Sequence, residues 1–157
     1  MSDKNEILRH FLAAIAYRGT KAIKNAPRPY SDVHVGKGVR TPRELLHHIT
    51  GVLTYAHSFF AHYETTHFQL KSWDAEVEAF YDVLSKLDKS LQQSSPREVT
   101  EEQLLQGPFS DAMAHIGQLS LLRRMADSPI PSENFICAAI QKGAVGPDQP
   151  DPVAPDE

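Results

Sequence analysis

The sequence predicts an all-α fold: a four-helix bundle with a long first connection and an irregular C-terminal extension. Three observations predict it. Four segments carry apolar residues at alternating three- and four-residue spacing, none shows the period of two expected of a strand, and Pro- and Gly-rich stretches separate them.

The first helix is expected from about Asp3 to Asn25, with Leu8, Phe11, Ile15, Gly19 and Ala22 or Ile23 forming its buried stripe. APRPYSDVHVGKGV, 26–39, has Pro and Gly at both ends and reads as a loop. TPRE then opens the second helix, with Thr41 as N-cap, Pro42 at the first helical position and Glu44 completing a capping box. Its stripe is Leu45, Ile49, Val52, Ala56, Phe59 and Tyr63. The third helix, about Trp73 to Leu91, places Trp73, Val77, Phe80, Leu84, Leu87 and Leu91 on one face. Asp74, Glu76 and Glu78 lie in its first turns, where the helix dipole favours acids. TEEQ, 100–103, repeats the capping-box pattern, but Gly107-Pro108 should interrupt the helix it opens. A fourth helix is expected from about Pro108 to Ala126, after a second long connection.

Residues 1–140 read as a single domain and 141–157 as a Pro-rich acidic tail, whose last twelve residues hold four prolines and four acids. ENFICAAI, near the end of the domain, should pack on it as an extended or short helical piece, with Cys137 buried in that apolar run. Cys137 is the only cysteine, so no intramolecular disulfide can form, which fits a reducing cytoplasm. The N-terminus MSDKNEILRH carries charges throughout and lacks the apolar run of a signal peptide. The stretch 45–63 has no Asp, Glu, Lys or Arg, but its four histidines make it a poor bilayer span. The expectation is a soluble cytoplasmic protein with no membrane association. A formal charge of −4 argues against nucleic-acid binding.

The functional clue is polar residues on apolar faces. From Ala112 to Leu122 the fourth helix has no acid or strong base, yet His115 sits inside it with Asp111 one turn earlier. At about 100° per residue, His47 and His62 point away from the stripe of the second helix, while His48 and His57 flank it. His47 and His62 are therefore expected to be solvated, and His48 taken alone reads as a boundary histidine. Asp111 and His115 share a ridge at i, i+4, beside the core positions Ala112, Ile116 and Leu119, within reach of one ion. With His48 they would offer two imidazoles and a carboxylate to a divalent metal, leaving open positions for water or substrate. The alternative for Asp111 is a capping carboxylate in the first turn of its helix. Gln118 and Tyr55 are expected to make ordinary contacts, and Arg123 and Arg124 to complement the helix dipole.

ELLHHITGV on the second helix and AHIGQLSLLRR on the fourth resemble the DinB/YfiT-like superfamily of bacterial metal-binding four-helix bundles. His48-Ile49 is similar to the family's second-helix histidine with its following aliphatic residue. His115-Ile116-Gly117-Gln118 is similar to the second histidine of its fourth-helix pair, which is followed by x-Gly-Gln. The position four before it, histidine in most members, is Asp111. The resemblance spans about residues 3–126 and implies a DinB-like bundle with His48, Asp111 and His115 as ligands of a divalent ion such as Zn, Ni, Fe or Mn. It further implies a metal-dependent enzyme, either a transferase using a low-molecular-weight thiol or a hydrolase using metal-activated water, with a small thiol or other small molecule as substrate. The contrasting expectation is a non-catalytic binding or dimerisation module with structural metal or none. A general acid or base beside the ion would separate the two, and the first helix offers only Tyr17 or Arg18. Homodimerisation is expected because such bundles commonly pair helices.

Overall fold

The computed structural model describes residues 2–62 and 69–153, so Tyr63 of the expected stripe and the end of the acidic tail lie outside the described residues. The described chain is helical, with no strand: α1 (Asp3–Ile23), α2 (Pro42–Ser58), α3 (Trp73–Gln93), the single turn α4 (Glu101–Leu104) and α5 (Ser110–Met125). None of these helices is long and apolar enough to cross a membrane.

Local chemistry sets the helix starts. Ser2 and Ser72 cap α1 and α3 by accepting from the amides of Asn5 and Ala75. Thr41 and Glu44 form the expected capping box on α2, and Thr100 and Gln103 form a second one on α4. Gly107 leaves helical geometry at φ −93° and ψ −105°, next to Pro108, so α4 passes into α5 through a wide turn at Leu105–Phe109. The fourth long helix therefore starts at Ser110, two residues later than Pro108. The first connection is not wholly loop, because Arg28–Asp32 forms a short 3-10 turn.

α1 and α2 each pack against both α3 and α5. Leu12, Ile15, Ile49, Leu53, Leu84 and Leu119 are fully inaccessible between them. On α2 the buried position is Leu53 rather than Val52, which is only half-buried, because α2 meets α3 and α5 at once and its apolar face is broader than a single stripe. Gly19 lets α1 approach α3 closely: a Cβ there would lie 2.8 Å from Cζ of Phe80.

Buried polar groups join the ends. The Arg9 guanidinium makes a two-point pair with Asp88 of α3 at 2.9 and 3.2 Å. Arg123, expected only to complement the dipole of its helix, is buried. It donates to the carbonyls of Ala22 and Lys24 at the end of α1 and of Ser128 beyond α5, orphan acceptors that no helix satisfies. Beyond α5 the chain stays on the helices: Glu133 is buried against α1, Lys142 pairs with Glu6, and Val145 belongs to the core. Cys137 is exposed, contrary to the expectation of burial. It ends a 3-10 turn, Phe135–Cys137, in which Phe135 turns inward onto Tyr17 while Ile136 and Cys137 face out.

Candidate metal centre

The α2 capping box sets the start of the helix, and His48 follows two turns later on its boundary with α5. Asp111 and His115 stand on successive turns of α5. The imidazole Nε2 atoms of His48 and His115 are 3.1 Å apart. The carboxylate of Asp111 reaches Nε2 of His115 at 3.3 Å and Nε2 of His48 at 3.8 Å. The three groups offer one ligand atom each within 4.8 Å of one another, so this cluster could hold a metal ion. A tetrahedral ion with bonds of 2.0–2.1 Å separates its ligand atoms by about 3.3 Å, close to the three observed spacings. The rings stand at 87° to each other, so both nitrogen lone pairs can converge without the rings colliding.

Proton counting points the same way. Nδ1 of His115 lies 3.0 Å from Oε1 of Gln118 and donates to it, leaving its Nε2 with a lone pair. That lone pair and the Asp111 oxygen face each other, and His48 can supply only one Nε2 proton between them. The two Nε2 atoms and the Asp111 oxygens thus converge as potential ligand atoms, an arrangement that suits a cation. Burial, then the nearby Arg40 charge and the second imidazole, hold His48 below the ordinary histidine pKa, against an opposing pull from Asp111. Its neutral form, the one that binds metal, is thereby favoured.

The cluster is open on one side. Half of the Asp111 side chain and a third of that of His48 are exposed, whereas His115 is 14 % exposed. A depression of about 700 Å³ leads to His48 beneath the 34–40 segment, lined among others by Arg40, Glu44 and His47.

The other singled-out residues are placed elsewhere. His47 is not simply solvated: its Nδ1 lies 3.0 Å from the carboxylate of Glu76, a buried α3 residue that also accepts from the Lys71 amide. His57 is buried, with Nε2 2.9 Å from the Ser90 hydroxyl, while His62 is exposed as expected. Tyr55 is exposed. The Tyr17 hydroxyl donates to Glu133 at 2.5 Å, and the Arg18 guanidinium lies over the Phe135 ring. Burial first, and then the Glu133 carboxylate, push the Tyr17 phenol far above its usual pKa. Gln118, expected to make only ordinary contacts, orients His115; its position three residues after that histidine was the available signal. Arg40, which had no signal in the sequence, borders His48.

No protein-family model matches the chain, and no curated protein or solved structure matches it.

Proposed function

We propose that this protein is a divalent-metal-binding four-helix bundle of the DinB-like kind, acting as a metal-dependent transferase of a small thiol or as a hydrolase. One observation carries the reading: two imidazoles and a carboxylate from facing helices converge at coordination spacing, with one imidazole oriented by Gln118. His48, Asp111 and His115 would hold the ion, and the exposed side of Asp111 leaves room for water or substrate. A divalent ion bound there supplies Lewis acidity, which favours the thiolate of a small thiol or activates water at neutral pH. Burial, with the Arg40 charge adding to it, favours the neutral form of His48, and Arg40 presents a positive charge to the depression through which an anionic reactant would enter.

A second reading, a non-catalytic module with structural metal, has its own support. Tyr17 and Arg18 are engaged away from the triad. Glu44, the carboxylate lining the depression, caps α2; the Thr41 amide holds it below the usual carboxylate range, making it a poor base.

Elemental analysis of the untagged protein beside His48→Ala and His115→Ala tests the metal. About one divalent ion per chain in the parent, lost in both variants, is expected for a three-ligand site. A parent that takes up no metal on reconstitution overturns the proposal. With cobalt in the site, a thiolate-to-metal absorption band on adding a small thiol supports the transferase. A loaded site that gives no such band and hydrolyses no ester supports the structural reading.

A further inference from the structure

A second site lies on the other side of α5. Gly117, Ser120 and Arg124 sit roughly 180° around that helix from His115, and with α1 and the 130–135 segment they enclose a pocket of about 360 Å³. Arg18, Lys21 and Arg124 bring three positive charges to its wall, in a chain of net charge −4. Its one carboxylate, Glu133, is fully buried and spent: one oxygen accepts from Tyr17 and the other from Lys21. Lys21 and Glu133 therefore offset each other. Among the described residues, neither Arg18 nor Arg124 is ion-paired with a carboxylate, although the Asp151 carboxylate acts on the neighbouring Tyr17.

The pocket is also held in shape. The buried Glu133 pins the 130–135 segment to α1, and Phe135 lies edge-on to Tyr17 at a centroid distance of 6.3 Å. The Arg18 guanidinium rests 3.9 Å above the Phe135 ring centroid, which restrains the side chain without using its N–H donors. Ile116, Leu121 and Ile130 add an apolar wall.

We propose that this pocket binds a small organic anion, with a carboxylate or phosphate head held between Arg18 and Arg124 and a compact apolar or aromatic body beside Phe135. A guanidinium pair suits either head, since each presents paired oxygens to a planar fork of donors. The volume fits a ligand at the small end of the usual range. The site is independent of any ion at His48.

Calorimetric titration of the full chain with benzoate, phenyl phosphate and neutral benzyl alcohol tests the assignment. Saturable binding of at least one anion, with none of the alcohol, is expected, and comparing the two anions identifies the preferred head. Arg18→Gln and Arg124→Gln should each weaken binding by about tenfold or more, the loss of one charge-assisted contact. Neither side chain is buried, so both variants should retain the parent's helical circular-dichroism signal. His115→Ala should leave affinity unchanged. The proposal is overturned if neither anion binds, if the alcohol binds as well as the anions, if both arginine variants bind like the parent, or if His115→Ala removes binding.

Discussion

At the scale of single residues, the candidate metal centre depends on hydrogen bonds that fix tautomers. Gln118 is the sharpest case, because it touches no ion yet decides which nitrogen of His115 is free. Gln118→Leu should weaken metal affinity by about tenfold to a hundredfold, the usual cost of removing an orienting partner, with little change in thermal stability because the side chain is exposed; competition with a chelator measures it. His57 gives a pH prediction. Burial is the leading cause holding its folded pKa below the ordinary 6.5, so the folded state binds fewer protons than the unfolded state as pH falls through that region. Its contribution is fully present above pH 6.5 and declines from there toward the folded pKa. Urea midpoints should fall as pH is lowered below 6.5, less steeply in His57→Gln. Asp111 and His115 could be picked out in the sequence because helical spacing alone determines which side chains share a ridge, whereas His48 read alone as a boundary histidine and joined them through the family resemblance. The setting of His47 could not be picked out, since it depends on Glu76, a residue another helix brings to it. Arg123 was misjudged for the same reason: its acceptors end α1, about a hundred residues earlier in the chain.

At the scale of elements, capping was the most legible signal, because a cap is made by residues three apart. Both capping boxes stand where TPRE and TEEQ place them. The apolar stripe was legible in period but not in width: a helix wedged between two others buries more than one row, so Leu46 and Leu53 of α2 join Leu45 and Ile49. Gly19 shows how close two elements must come. Any side chain there meets the fully buried Phe80 ring, and Ile116 lies just behind at 3.4 Å. Gly19→Val should destabilise the protein by about 2 kcal/mol, within the range for overpacking a filled core, as read by urea denaturation.

At the scale of the whole molecule, neither which helices touch nor what the chain beyond α5 does could be read from periodicity. Long connections leave the helix order free, and the C-terminal segment has no period at all. Its attachment rests on single contacts: Glu133 against α1, Lys142 with Glu6, and Val145 in the core. Truncation after Ile140 should therefore cost about 2 kcal/mol, the burial of one valine, seen as a lowered unfolding midpoint. The wide turn at Leu105–Phe109 has a further consequence. Leu104 and Phe109 are both fully buried although five residues apart. On an uninterrupted helix that separation turns through about 500°, leaving them about 140° out of line. The turn thus works as a vernier, correcting the rotational phase between α4 and α5 so that one continuous run can present Leu104 and then Phe109, Ala112 and Ile116 to the same interior. In an unbroken helix with Leu104 still anchored, the α5 face that carries Asp111 and His115 would be swung away from His48.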